Sequence, residues 1–281
     1  MTAVSIDIET LRPAAGRRVI ALHCSGSSGG QWRPLGEALG RGCELLTPEH
    51  FGPEVAGSTQ PSRFVLADEA ARSIALIDAS DDKAHLVGHS YGGAVALQVA
   101  LARPDRIASL TLYEPAAFHL LDDLGADGAA GFIEIAAIAR QVRCAVEAGD
   151  NQGAAAAFVD YWNGPGMWAK LSSQVRKNLT RWAPKAPLEF SALMDVPTTL
   201  QDFEMLDFPI LILRGELAPT PTRLIADALP DVMDCARLEV VAGAGHMGPL
   251  THAAAVNARI AAHIAKAEAL PAPQRWMTQA A

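Results

Sequence analysis

Six short apolar runs divide this chain, and each is closed by a turn-forming residue. Residues 19–23 end in the Gly- and Ser-rich stretch 25–30, and residues 44–47 stop at Pro48. Residues 84–87 run into Gly88, and Ile107–Tyr113 is halted by Pro115. Residues 209–213 end at Gly215, and residues 238–241 lead into a loop with Gly243 and Gly245. Runs with so little polar alternation belong to strands buried on both faces, which predicts a parallel sheet covered by helices.

The segments between the runs carry helical signals. Residues 93–102 form a small-residue stretch closed by Pro104, and residues 68–77, 221–229 and 253–267 show amphipathic stripes. Strand alternating with helix implies right-handed crossovers, so the expected class is α/β with a doubly wound, mostly parallel sheet. The rhythm breaks once, between Phe118 and Phe208, in an Ala-rich stretch with Trp162, Trp168 and Trp182 and no strand pattern. Because the strand pattern resumes at Pro209, this stretch is expected to be an insertion. Residues 1–118 and 208–281 would form the core, and 119–207 a helical cap over the strand ends.

Composition narrows the function classes. The chain has 281 residues, half of them hydrophobic, with 23 Lys and Arg against 31 Asp and Glu, a formal charge of −8. Such a balance disfavours nucleic acid and anionic membranes as partners. The basic group Arg176, Lys177 and Arg181 reads as a solvated helix face. Residues 1–10 show neither a basic nor an apolar leader segment, and no apolar run is long enough to span a bilayer. Cys24, Cys43, Cys144 and Cys235 are scattered without CxxC spacing, which fits free thiols in a reducing, cytoplasmic setting. The tail after Leu270, with Pro271 and Pro273, is expected to fray.

The sharpest signal is Gly88-His89-Ser90-Tyr91-Gly92, a G-x-S-x-G string. An apolar strand enters it and a small-residue helix leaves it, which is the setting a nucleophile elbow requires. The physical reason is crowding: a serine held in a strained turn tolerates almost no side chain two residues before or after it. The helix start also brings backbone N–H groups and positive dipole to the reacting oxygen.

With these elements in this order, the chain resembles the α/β-hydrolase fold over nearly its whole length outside the cap. The resemblance implies acyl chemistry, because Ser90 stands where some relatives carry Asp. A serine hydroxyl needs a base. The resemblance puts that base on the loop after the last strand, which is His246 in Gly243-Ala244-Gly245-His246-Met247-Gly248. The family's usual acid position falls on Ala218, which cannot orient an imidazole. Some members carry the acid at an earlier strand end, which points to Glu114; Glu216 is the rival, two residues short of the usual place. Residues 23–30 resemble the family's H-G-x-x-G loop with Cys24 in place of glycine, implying that the backbone N–H groups of Ser25 and Tyr91 hold the oxyanion. A phosphate-loop reading fails, because no Lys-Ser/Thr pair follows.

The expected activity is therefore two-step acyl transfer to water by Ser90, His246 and Glu114. No cofactor and no metal are expected, since neither nucleotide motifs nor metal-ligand spacing occur. The partner is a small-molecule substrate, an ester, lactone or thioester of apolar character, in a pocket to which Phe132, Phe158, Tyr161, Trp162, Met167 and Trp168 could contribute. A homodimer stays open. The alternatives on the same scaffold are a non-catalytic ligand-binding protein, invited by Ala218, an acyltransferase or perhydrolase, and a carbon–carbon bond hydrolase.

Overall fold

A computed structural model describes residues 17–57 and 64–269. The expectations for residues 1–10 and for the tail after Leu270 lie outside these residues. In chain order the elements are β1 (Arg17–Leu22), α1 (Arg33–Leu39), β2 (Cys43–Leu46), α2 (Leu66–Asp78), β3 (Ala84–His89) and α3 (Tyr91–Ala102). Then come β4 (Ile107–Tyr113), α4 (Gly125–Glu147), α5 (Asn151–Asn163), α6 (Met167–Lys170), α7 (Ser173–Trp182) and α8 (Ala186–Met194). The chain finishes with β5 (Ile210–Gly215), α9 (Thr220–Val232), β6 (Ala236–Val241), α10 (Gly248–Thr251) and α11 (Ala253–Glu268). Short 3-10 turns connect several of them.

The six strands form one parallel sheet in the order β2-β1-β3-β4-β5-β6. Successive side chains of a strand point to opposite faces, and in β1 both faces are apolar. Val19 and Ala21 join a cluster with Leu35, Val256, Ile260 and Ile264 from α1 and α11. Ile20 and Leu22 join the larger cluster with Ile77, Val95, Leu97 and Leu229 from α2, α3 and α9. That two-sided burial is why the strands read as uninterrupted apolar runs. β6, at one edge of the sheet, departs from the pattern: only Val241 in it is buried.

All described strand–strand connections are helical crossovers, and the direction of winding reverses between β1 and β3. Ligands of open parallel sheets bind beyond the carboxyl ends of the strands at such a reversal. Register brings the ends together there. Leu22 pairs with Gly88, His89 with Tyr113, Tyr113 with Leu213, and Gly215 with Val241. Between Tyr113 and Ile210 the structure has helices α4 to α8 and no strand. α7, which carries Arg176, Lys177 and Arg181, has no buried residue. No helix among the described residues is long and apolar enough to cross a membrane.

Candidate active site

β3 delivers Ser90 into a backbone conformation of φ 54° and ψ −116°. Positive φ is costly for a residue with a Cβ, and it survives only where the surroundings over-determine it. Here they do. The Ser90 N–H donates to the Tyr113 carbonyl at 3.0 Å, and the Ser90 carbonyl accepts from Ala116 and Ala94, both at 3.0 Å. A Cβ on Gly88 would lie 2.5 Å from the Gly92 carbonyl oxygen, and one on Gly92 would lie 2.5 Å from that of His23. The two glycines of the motif are thus a packing necessity of the turn.

Glu114, at the end of β4, is the other non-glycine residue with positive φ among those described, at 42°. It is fully buried. Its Oε1 accepts from the Gly215 N–H at 2.8 Å, and its Oε2 accepts from the Thr222 hydroxyl at 2.9 Å. Oε2 also lies 2.7 Å from His246 Nδ1, and His246 Nε2 lies 2.8 Å from Ser90 Oγ. A carboxylate can only accept, so Nδ1 carries the proton and Nε2 offers its lone pair to the serine hydroxyl. Glu216 is exposed, and its Oε2 accepts from the Gly243 N–H at 2.8 Å. Of the two carboxylates weighed from sequence, Glu114 is the one in contact with His246, and Ala218 plays no part in the chain of contacts.

The loop that carries His246 is pinned from beneath. The Tyr113 hydroxyl donates to the Gly245 carbonyl at 2.8 Å, and His89 Nε2 donates to the His246 carbonyl at 2.8 Å. His89 Nδ1 accepts from the Gln31 side-chain amide at 3.0 Å, and Gln31 Oε1 accepts from the Cys24 N–H at 3.2 Å. Burial first, and then the neighbouring His246, hold the His89 imidazole well below its usual pKa, so it stays neutral. One buried relay therefore ties the loop after β1 to the loop after β6. Sequence reasoning missed it, although a histidine inside the motif and a glutamine seven residues after Cys24 were there to be paired.

That β1 loop holds Ser25 beside Ser90, and both line one cavity. Tyr91 N–H belongs to the first turn of α3, where backbone donors have no partner within the helix. Burial pushes the Cys24 thiol up to about 12, which leaves it no thiolate for chemistry. His23 Nδ1 lies 2.8 Å from the Cys24 carbonyl, steadying the same loop.

The cavity is small and partly open to solvent. Its walls are Ser25, Ser90 and Ala116 from the sheet side, Phe118 from the turn after β4, and Phe158, Trp162, Ala186, Glu189, Phe190 and Leu193 from α5 and α8. Of the six residues proposed from sequence, Phe158 and Trp162 line it, whereas Phe132, Tyr161 and Trp168 pack against the core without lining it, and Met167 does neither. Phe118, Glu189, Phe190 and Leu193 were not foreseen. Trp162 stacks on His246, with ring centroids 4.0 Å apart and planes 28° from parallel.

Beside the cavity lies a buried ionic cluster. Lys185 Nζ sits 2.8 Å from Glu69 Oε1 and 3.1 Å from Glu189 Oε1. Burial opposes the charge on Lys185, but the two carboxylates outweigh it and raise its pKa. Burial likewise opposes the charge on Glu69, but His50 and Lys185 together hold its carboxyl far below the usual range. Among the described residues no cluster of three or more His, Cys, Asp or Glu side chains is arranged to hold a metal ion.

Comparison with known proteins places this geometry in context. The sequence profile of the alpha/beta hydrolase family matches residues 19–259. A protein of Caulobacter vibrioides carrying the name carbamate hydrolase RutD is 39% identical over 102 residues, 36% of this chain and 38% of that protein. The aligned part thus spans well under half of that relative. The crystal structure of a hydrolase from Pseudomonas aeruginosa superposes with a TM-score of 0.72 at 21% identity, over 92% of this chain and 93% of the other. That of the enol-lactonase from Burkholderia xenovorans superposes with a TM-score of 0.69 at 16% identity, over 93% and 96%. The fold is shared at full length where the sequence has drifted, and with the profile covering most of the chain, this protein belongs to the alpha/beta hydrolase family.

Proposed function

We propose that this protein is a serine hydrolase that cleaves a carboxylic ester or related acyl bond of a small substrate through an acyl-enzyme. The observation that carries the reading is the buried, unbroken series of contacts from Ser90 Oγ through His246 to Glu114. Ser90 Oγ attacks the substrate carbonyl while His246 Nε2 takes its proton, and Glu114 orients the ring and stabilises the imidazolium. The backbone N–H groups of Ser25 and Tyr91 receive the oxyanion, a contribution commonly worth several kcal/mol in the transition state. His246 returns the proton to the leaving alcohol, and a water activated by the same imidazole then releases the acid. The helical stretch 119–207 serves as the cap that closes the acyl pocket. The names carried by the relatives, a carbamate hydrolase and an enol-lactonase, both denote hydrolysis and agree with this reading.

A reading as a non-catalytic binder drew its support from Ala218, and Glu114 removes that support by reaching the imidazole from β4. Hydrolysis of short-chain p-nitrophenyl esters tests the proposal. The expected record is a burst of p-nitrophenolate, stoichiometric with enzyme, followed by steady release of the acid, both lost in Ser90→Ala. Turnover that survives the substitution would overturn it.

A further inference from the structure

The cavity walls are apolar except at a few points, and two of those points are incomplete. Glu189 is 3% exposed and lines the cavity. Its Oε1 is doubly used, accepting from Trp182 Nε1 at 3.2 Å and from Lys185 Nζ at 3.1 Å. Its Oε2 is buried and has no hydrogen-bond partner among the described residues. Trp162 is 6% exposed, lines the same cavity, and its indole Nε1 is likewise buried without a partner. A buried acceptor and a buried donor left unsatisfied are each costly, and native structures rarely keep such groups unless something pairs with them.

The two orphans are complementary to one kind of ligand. Lys185 is shared between Glu69 and Glu189, while His50 faces Glu69 from its other oxygen, so Glu189 holds the ammonium through Oε1 alone and its Oε2 has no cation of its own. An anionic acyl chain would meet the free oxygen of the Glu189 carboxylate and be repelled. An alkyl chain would leave both orphans unpaired, and a group that only donates would leave the indole N–H unpaired. A neutral group that donates and accepts at once satisfies both.

Resting on the Ser90 reading above, we propose that the acyl pocket selects substrates whose acyl chain ends in a neutral carboxamide or hydroxyl group. That group donates to Glu189 Oε2 and accepts from Trp162 Nε1. Glu189 and Trp162 are then the specificity-determining residues. The stacking of Trp162 on His246 means that the group selecting the substrate also borders the proposed base.

The test is the rate at which Ser90 is modified by fluorophosphonates of matched chain length ending in carboxamide, in isopropyl or in carboxylate, followed by mass spectrometry of the Ser90 peptide. Isopropyl copies the shape of the carboxamide without its polarity. The expected result is labelling about 10²-fold faster with the carboxamide than with the isopropyl probe, and slowest with the carboxylate, the size of preference that pairing two buried polar groups supports. In Trp162→Phe, which keeps an aromatic ring against His246, and in Glu189→Leu, which leaves Lys185 paired with Glu69, the carboxamide-to-isopropyl ratio falls at least about tenfold. The wild-type ratio is decisive by itself, so a variant that fails to fold leaves the test intact. Equal labelling by the carboxamide and isopropyl probes overturns this inference and leaves Ser90 as nucleophile. No labelling of Ser90 by any probe overturns the reading on which it rests, and this inference with it.

Discussion

On the sheet side of the cavity, Ser90 and Glu114 follow directly on β3 and β4 and are held by backbone hydrogen bonds, while His246 stands on the loop after β6, pinned by the side chains of Tyr113 and His89. On the helical side, Glu189 and Trp162 stand on α8 and α5, held by side-chain packing and by Lys185. The first wall depends on backbone geometry that few residues satisfy, hence its glycines and its two strained positions. The second depends on which side chains happen to meet, and it can vary without disturbing the sheet. On the reading proposed above, the chemistry falls to the rigid wall and the choice of substrate to the replaceable one.

This division can be broken at graded points. The largest effect belongs to Ser90→Ala, which should lower kcat for a cleaved ester by about 10⁴-fold or more, measured by steady-state hydrolysis. Next comes Glu114→Gln, which keeps the shape but not the orienting charge and should lower kcat by roughly 10⁴-fold. Glu216→Gln should leave kcat near wild type, because that side chain bonds Gly243 and not the imidazole. Equal losses in the two variants would contradict the assignment of Glu114.

On the helical wall, Lys185→Met strands two buried carboxylates. It should destabilise the fold by roughly 3–5 kcal/mol in a urea melt, as expected for one partner removed from a buried ion pair. His89→Ala cuts the relay between the two loops. A loss of about 10²-fold in kcat is expected with stability less affected, since a displacement of the base of about 1 Å is enough to cost that much.

Stability also depends on pH. Burial lowers His85 and His263 from 6.5 to about 4 in the folded protein. The unfolded chain therefore binds more protons than the folded one between those values. The stabilisation from the neutral rings is fully present above about pH 6.5 and is lost as pH falls through about 4. The unfolding free energy from denaturant melts should drop over that interval by an amount on the order of 2 kcal/mol for each ring. A flat profile from pH 7 to 4 would exclude it.

The rigid wall was legible in the sequence because its geometry restricts residue choice. Gly88 and Gly92 cannot carry a Cβ, and the six apolar runs fall within a residue or two of the six strands. Glu114 was separable from Glu216 only by reach, which depends on where β4 lies beside β5. The helical wall was not legible for a physical reason. Lys185 and Glu189 are spaced as i and i+4, the signature of a solvated surface pair, yet both are buried because Glu69 on α2 meets them across the interior. The aromatic residues of 119–207 read alike in sequence, and only their tertiary placement separates those that line the cavity from those that fill the core. The relay through Gln31 and His89 joins residues 58 positions apart, and no local pattern announces it.

The most direct measurement is the site of covalent modification by a simple alkyl fluorophosphonate in the wild-type protein and in Glu114→Gln and Glu216→Gln. The account predicts one adduct per chain, located on Ser90, formed far more slowly in the Glu114 variant and at the wild-type rate in the Glu216 variant. An adduct on another residue, or an unmodified Ser90 in folded protein, would contradict it.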